Sequence, residues 1–377
     1  MITPHQEMDV AFLRERRRGK STRQAACFSP APAVEDDVYE ELSIPVFHSI
    51  SRRSLEDKVN LCCAPGVVLR NDYRMTHHIH TNGSSSSVHS AIDLRTNKQV
   101  VLKIMGNTKD KFDTVLSEIR VNLDLMKRDE LYDWHAPLHE YFYFKEHLIL
   151  VFDRMHGTLA SITEPMDLAA IRETARELLI ALKDLHLLGI VHTDIKPENV
   201  CMRTPHRSHS AGNIVLIDFG SVHMDADTRC SYVQSRPYRA PEVMLGMAWN
   251  AKVDLWSLGC LLAELVRGAV LFDGDTSSQV LAAQAAVLGA YPRDLLAHAN
   301  PTLLEHFFAP DGSLYDFQYG SELEQDCAFR LTPAPTSLAD VLRTTDAQLL
   351  DLLSGLLEYN PAQRLSAADA LNHPFFG

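Results

Sequence analysis

Apolar residues recur at helical spacing in three stretches of the chain. Leucine, isoleucine or methionine stands at positions 116, 119, 123 and 126, which predicts one amphipathic helix. Apolar residues at 171, 175, 178, 182 and 185 predict a second, and Gly189 is placed to end it. Residues 253–266 are apolar nearly all round, which predicts a buried helix.

The preceding part of the chain is strand-like. Residues 67–105 have a strand-like pattern, in which the turn at 95–97 precedes the β-branched and apolar run 99–105. Residues 147–152 form another apolar run that predicts a strand. The pattern predicts an α+β fold, with a small antiparallel sheet and one helix followed by a larger helical lobe. Functional residues are expected at the cleft between two such lobes.

Residues 1–60 are predicted to be a flexible extension, because their charged and Pro/Ala patches show little periodicity. The run of basic residues between 14 and 23 is typical of a nuclear import signal or of a solvated arm.

The bulk properties indicate an intracellular protein without a membrane span. No apolar run approaches the roughly 20 residues that a membrane helix needs, and the seven cysteines show neither disulfide nor metal spacing. A formal net charge of −13 argues against direct nucleic-acid binding. It favours basic protein partners, or serves only to keep the protein in solution.

The most informative stretch is His-Thr-Asp-Ile-Lys-Pro-Glu-Asn at 192–199. Asp-Phe-Gly follows at 218–220 and Ala-Pro-Glu at 240–242. In this order and at these separations, the three motifs resemble the catalytic loop, magnesium loop and segment end of protein kinases. The resemblance covers 67–376. It implies a bilobal kinase domain, with an N-lobe at about 67–153 and a C-lobe at about 154–376.

The resemblance implies a role for each polar residue of these motifs. Asp194 becomes the catalytic base and Lys196 a ligand of the γ-phosphate, while Asn199 and Asp218 hold Mg²⁺, a hard cation that prefers oxygen. Phosphoryl transfer passes through a loose transition state, so such a site chiefly positions groups and neutralises charge. Lys196 is typical of kinases that transfer the γ-phosphate of ATP to serine or threonine of protein substrates.

A lysine inside an apolar strand completes the pattern. Lys103 is either a solubilising residue on an edge strand or the lysine that holds the α- and β-phosphates of ATP. The kinase resemblance implies the second role, with Glu118, fifteen positions further on, as its partner.

The segment Tyr-Val-Gln-Ser-Arg-Pro-Tyr-Arg-Ala-Pro-Glu at 232–242 resembles the CMGC group of kinases. Within that group it is most similar to the dual-specificity tyrosine-regulated and homeodomain-interacting kinases. The run His-Thr-Asp at 192–194 is also similar to the CDC-like kinases. The group implies substrates that carry proline after the target residue, whereas the acidic net charge favours basic ones. The enzyme is expected to be a monomer.

Other positions depart from the kinase pattern. The loop that should read Gly-x-Gly-x-x-Gly keeps only Gly83, with Thr81 and Ser86 at the other two positions and Val88 after them. Side chains therefore crowd the path of the phosphates, and weak binding of ATP is expected. Two further departures, Val101 beside the expected adenine position and Asn122 one turn after Glu118, also reshape nucleotide binding.

The altered loop also motivates a second hypothesis, a pseudokinase scaffold that binds partners without transferring phosphate. The presence of all six residues with a chemical role argues against it, since a scaffold has no physical need for them. They are Lys103, Glu118, Asp194, Lys196, Asn199 and Asp218.

Regulation is expected to involve Tyr232. Many kinases carry arginine before the catalytic aspartate, where it binds a phosphate on the activation segment, but Thr193 has no such charge. Tyr232 matches a tyrosine that the tyrosine-regulated relatives phosphorylate themselves, and Arg236 is expected to pair with that phosphate or to shape the pocket for the residue after the target. The alternative is a packed, unmodified tyrosine.

The run His77-His78-x-His80 lacks the accompanying cysteine or carboxylate spacing of a metal site. It is therefore interpreted as a solvated strand start or loop.

Overall fold

A computed structural model of the chain describes residues 43–47, 61–82, 86–106, 109–127, 134–145, 147–205, 212–224, 232–318, 327–332 and 334–377. Apart from 43–47, the predicted extension 1–60 lies outside these ranges, as do the basic run and Gly83. The chain divides into two compact units. The smaller comprises residues up to Thr108 together with Glu140–Val151, and the larger comprises Lys109–His139 and Phe152–Gly377.

A seven-stranded sheet contains the strands of the smaller unit, in the order β1-β6-β7-β5-β4-β3-β2. The neighbours from β2 to β5 pair antiparallel, whereas β1 runs parallel to β6. The strands are β1 (Val46–Phe47), β2 (Val68–Leu69), β3 (Tyr73–Asn82), β4 (Ser86–Asp93), β5 (Lys98–Met105), β6 (Leu138–Phe144) and β7 (His147–Asp153). Both strands predicted from the apolar runs are confirmed.

The core of the smaller unit explains the alternation along β5. Val100, Leu102 and Ile104 are buried and pack with residues such as Phe142 and Ile149. The positions between them belong to the opposite face of the sheet, since successive side chains point to opposite sides of a strand. Lys103 lies on that opposite face.

Helices dominate the larger unit. They are α1 (Lys109–Met126), α2 (Leu168–Leu187), α3 (Pro241–Met244), α4 (Lys252–Arg267), α5 (Ser277–Leu288), α6 (Arg293–Leu296), α7 (Pro301–Phe307), α8 (Leu338–Leu342), α9 (Ala347–Leu356) and α10 (Ala367–Leu371). The three predicted helices are α1, α2 and α4, and all are confirmed. None of the helices in the described ranges is long and apolar enough to cross a membrane.

Local sequence signals determine where α2 begins and ends, whereas α4 is stabilised by the burial of nearly all its side chains. Asp167 caps α2 by accepting a hydrogen bond from the Ala170 amide, and Gly189 follows the helix with a φ of +70°. In α4 nearly every residue from Val253 to Leu265 is buried, so this helix forms the centre of the larger core.

Short strands and 3₁₀ turns carry the motifs of the larger unit. The strands are β8 (Gly157–Thr158), β9 (Ile190–Val191), β10 (Val200–Met202), β11 (Ile214–Leu216), β12 (His223–Met224), β13 (Leu314–Gln318) and β14 (Cys327–Leu331). The antiparallel pair β10–β11 and the pair β9–β12 bring the loop before β10 close to the turn before β12. The 192–199 run and the 218–220 tripeptide lie in these two segments.

Candidate functional site

Asp194 is the centre of a polar cluster in the larger unit. Asn199 Nδ2 donates to Asp194 Oδ2 at 2.9 Å and to its backbone carbonyl at 2.8 Å. Lys196 Nζ lies 2.7 Å from Oδ2, and Ser235 Oγ donates to Oδ1 at 2.7 Å while accepting from Lys196 at 2.9 Å. The structure thus brings together three residues predicted from the sequence, and the carboxylate is held in one orientation.

A buried carboxylate anchors the backbone on which Asp194 stands. Asp254 on α4 is fully buried and accepts hydrogen bonds from the amides of His192 and Thr193, each at 2.8 Å. The imidazole of His186 lies 2.9 Å from the same carboxylate. Thr193 has a φ of +61°, which is an outlier for a β-branched residue, and these bonds offset its strain.

The side chain of Thr193 replaces the arginine of many kinases with a local contact. It is buried, and its hydroxyl donates to the backbone carbonyl of Ser221, directly after the 218–220 tripeptide. The loop that carries Asp194 is thereby joined to the turn that follows Asp218 without any phosphate.

Asp218 stands in a constrained turn next to Glu118. Its φ is +65°, in the left-handed region, and the 3₁₀ turn Phe219–Ser221 follows it and contacts α1. A Cβ on Gly220 would lie 3.3 Å from Asp218 Oδ1 and 3.4 Å from Glu118 Oε2. A side chain here would press on the Asp218 carboxylate, and both predicted carboxylates lie close to this position.

In the smaller unit, two residues predicted to bind ATP are neighbours. Val88 on β4 is directly paired with Lys103 on β5. Ser86, which stands where the resemblance expects a glycine, is buried at the start of β4 and pairs with Met105. Gly83 lies outside the described residues.

Asn122 is a buried amide on α1. Its side chain is 1% exposed, and its Nδ2 donates to the carbonyl of Glu118 one turn earlier on α1 at 2.8 Å. Its Oδ1 has no hydrogen-bond partner among the described residues. A buried carbonyl oxygen in this state costs about 1–3 kcal/mol.

Asn122→Leu is therefore expected to raise the free energy of unfolding by about 1–3 kcal/mol, because leucine has a similar volume and no unsatisfied polar atom. Urea denaturation measures the change. Asn372→Leu is the matched control, since the exposed Asn372 makes the same bond to the carbonyl four residues earlier. An unchanged or lower stability of Asn122→Leu, with folding intact, would mean that an unseen partner satisfies Oδ1.

Tyr232 is half-exposed and lies against an arginine. The guanidinium of Arg239 is 4.2 Å from the centre of the tyrosine ring, and it donates to the carbonyls of Val233 and Gln234. Burial lowers the pKa of Arg239, and the neighbouring Tyr232 opposes that shift. Arg236, the arginine singled out from the sequence, instead donates to the carbonyl of Asp275.

A second acidic position lies among these segments. Tyr238 donates a hydrogen bond to Glu264 Oε2 at 2.6 Å. Burial raises the pKa of Glu264, and the negative charge of Glu198 raises it further. Glu198 is exposed and stands four residues after Asp194. The negative charge of Glu198 therefore acts on Glu264 within the larger unit.

Sequence reasoning did not assign a role to Ser235, Gln234 or Arg239. Gln234 has a φ of +68° and bonds through its amide to Ser257 Oγ at 2.7 Å and to the Ala240 amide at 2.9 Å. These bonds fix the segment that places Ser235 against Asp194. One available signal was Asp254, a charged residue in a helix otherwise apolar nearly all round, since a buried carboxylate requires partners.

Two predicted magnesium ligands supply the kind of donor that this cation prefers. Both bonds from Asn199 to Asp194 use its amide nitrogen, which leaves its amide oxygen available to a cation, and Asp218 adds a carboxylate. In the described part of the chain no group of three or more His, Cys, Asp or Glu could hold a metal. Mg²⁺ commonly takes one or two carboxylates and completes its octahedron with water and substrate phosphates.

Comparison with known proteins extends this picture to the whole described domain. The protein kinase domain family model matches residues 76–376. The probable serine/threonine-protein kinase dyrk2 of Dictyostelium discoideum is 33% identical over 77% of this chain and 31% of its own length. The serine/threonine-protein kinase AFC3 of Arabidopsis thaliana is 31% identical over 78% of this chain and 79% of its own.

The dual specificity tyrosine-phosphorylation-regulated kinase 2 of Drosophila melanogaster is 31% identical over 78% of this chain and 40% of its own length. The chain thus spans less than half the length of the Dictyostelium and Drosophila relatives. The matched region contains the polar cluster around Asp194, the turn at Asp218 and the tyrosine segment. The chain belongs to the protein kinase domain family, and within it to the CMGC kinases of the tyrosine-regulated and CDC-like types.

Proposed function

We propose that this protein transfers the γ-phosphate of ATP to serine or threonine hydroxyls of protein substrates. The observation that carries the proposal is the orientation of Asp194 by Asn199, Lys196 and Ser235. A carboxylate held in this way can accept the proton of an attacking hydroxyl. Lys196, beside it, neutralises charge on the transferred phosphoryl group.

The nucleotide is proposed to be held by Val88, Gly83 and Lys103 of the smaller unit, with Glu118 positioning the lysine. Asn199 and Asp218 are proposed to hold Mg²⁺, which neutralises charge on the phosphate oxygens. The oxygen donors of these two residues support that choice of cation.

A transfer assay separates this function from a scaffold that only binds partners. The purified chain is incubated with γ-labelled ATP, Mg²⁺ and a library of serine and threonine peptides. Incorporation that disappears on removal of Mg²⁺ is expected. Nucleotide binding without any transfer, to peptides or to the protein itself, would instead support the scaffold.

Basic residues near the target are proposed to favour a substrate. The exposed carboxylate of Glu198, four residues after Asp194, supports this, because a carboxylate stabilises a guanidinium. A proline after the target is a further preference, proposed from the family resemblance alone. Both preferences are read from the same peptide library.

Glu198→Gln is expected to lower kcat/KM for an arginine-containing peptide by about ten- to a hundredfold, the effect of one hydrogen bond to a charged group. The same peptide with alanine in place of arginine is expected to change little. Glu305→Gln, at another exposed glutamate, is the control. An equal loss on both peptides would show that Glu198 acts on the fold and does not recognise the basic residue.

Activation is proposed to occur by self-phosphorylation on Tyr232. The contact of Tyr232 with Arg239 supports this, since the guanidinium is already close to the ring that would carry the phosphate. Thr193 offers no charge to a phosphate from a second kinase, and its hydroxyl bonds to Ser221 instead.

The protein made alone in bacteria is therefore expected to be active and to carry one phosphate on Tyr232. Peptide mass spectrometry locates the phosphate, and the Asp194→Asn variant made in the same way is expected to lack it. Full activity with unmodified Tyr232 would exclude the tyrosine mechanism. Activity that appears only after treatment with another kinase would exclude self-activation.

The protein is proposed to be intracellular, in the nucleus or the cytoplasm. Cys62, Cys63, Cys201 and Cys260 are free thiols, which suits a reducing compartment. Microscopy of the tagged full chain, with and without residues 14–23, tests nuclear import.

A further inference from the structure

Strand β3 carries three histidines, and a fourth histidine on the neighbouring strand β4 lies beside one of them. His78 on β3 is paired in register with His89 on β4, and their ring centres lie 5.0 Å apart in an edge-to-face arrangement. The sequence interval of eleven residues gives no sign of this pairing, which arises from the antiparallel hairpin.

His89 has an exposed fraction of only 7%, and its two nitrogens differ. Nε2 lies 3.1 Å from Ser87 Oγ, whereas Nδ1 is buried and has no hydrogen-bond partner among the described residues. Burial, and secondarily the nearby His78, lowers the pKa of His89 below its usual value. Nδ1 is therefore the ring nitrogen that no described side chain occupies, and a neutral imidazole binds a metal ion through such a nitrogen.

The separation of the two rings suits a shared cation. Imidazole nitrogens bind Zn²⁺ at about 2.0–2.1 Å, and two rings that meet a tetrahedral ion have centres roughly 5 Å apart. The imidazole of His78 is exposed, so an ion can reach it from solvent. Among the described residues, no group of three or more His, Cys, Asp or Glu could hold a metal, so the proposed site has two protein ligands.

We propose that His78 and His89 form a two-nitrogen site for a divalent transition-metal ion of the Zn²⁺, Ni²⁺ or Cu²⁺ class. Imidazole suits these ions, and affinity for such a ligand pair rises from Ni²⁺ to Cu²⁺ and falls again at Zn²⁺. Occupancy cross-links β3 to β4, the two strands that flank residues 83–85. The site thereby makes the hairpin that carries Val88 sensitive to metal.

Zinc titration of the full chain, without a polyhistidine tag and stripped of metal by a chelator, tests the proposal. Calorimetry is expected to find one equivalent in the wild type that is absent from His78→Phe, His89→Phe and the double variant alike. His77→Phe is the matched control, because this exposed residue is adjacent on the same strand, and it is expected to keep the equivalent. Retention of the equivalent by either single variant, or losses that add in the double variant, would show independent histidines and overturn the proposal.

A second measurement covers the possibility that His89→Phe does not fold. Zinc is expected to raise the melting temperature of the wild type and of His77→Phe, since a ligand of the folded state stabilises it. Zinc is expected to leave the melting temperature of His78→Phe unchanged, and this variant is altered only at an exposed ring. An equal rise in all three proteins would overturn the site.

Discussion

Asp194→Asn is expected to lower the rate of phosphoryl transfer by roughly 10²–10⁴-fold, the usual contribution of a positioned general base. Asparagine has the same shape and can still bond to Asn199 and Ser235, so the loop keeps its conformation. It has no negative charge for Lys196 and accepts no proton from the substrate. The affinity for ATP is expected to change little.

Steady-state kinetics on a peptide, together with calorimetric titration of nucleotide, measure the two quantities separately. Asp351→Asn is the control, because this carboxylate is exposed and pairs with His373 on the surface. Near-normal turnover of Asp194→Asn would show that another group is the base. A loss of nucleotide binding in parallel with turnover would show that the change disrupts the fold.

Arg364→Met is expected to destabilise the larger unit by about 3–5 kcal/mol, the cost of leaving a buried charge without its partner. Arg364 and Glu242 both have fully buried side chains and form two parallel bonds of 2.6 and 2.9 Å. Arg364 also donates to the carbonyls of Lys252 and Glu358. Methionine fills part of the space and leaves the carboxylate of Glu242 in an apolar environment.

Urea denaturation monitored by tryptophan fluorescence measures this loss, since Trp256 lies beside the Arg364 guanidinium. Arg330→Met is the matched control. Arg330 pairs with Asp311 at 2.7 Å, but both side chains are more than half exposed, so a much smaller change is expected. The double replacement Arg364→Met with Glu242→Leu is expected to recover part of the stability, because no buried charge remains. Similar losses at Arg364 and Arg330 would contradict this explanation.

The sequence by itself determined the features that depend on residues close together in the chain. The spacing of apolar residues predicted α2 correctly, because a helix repeats every 3.6 residues and buries one face. Gly189 marked its end, because a left-handed residue there is most easily a glycine. Asp194, Lys196 and Asn199 lie within six residues, so the run that identified them also brings them together.

The tertiary structure alone decided the contacts between residues far apart in the chain. Ser235 reaches Asp194 across 41 positions, and Asp254 holds the amides of His192 and Thr193 across 62 and 61. No periodicity encodes such pairs. A buried polar group requires a partner but does not specify where in the sequence that partner stands.

Strand register decided one contact that the sequence did not predict, and the conformation of one loop decided another. His78 and His89 meet because β3 and β4 pair antiparallel with two irregularities, and a shift of one residue would place them on opposite faces. In the segment before α3, Arg239 and not Arg236 lies against Tyr232, where the carbonyls of Val233 and Gln234 hold it. The sequence predicted which types of residue the function requires. The tertiary structure determined the partner of each residue, because burial and hydrogen bonding depend on positions in space.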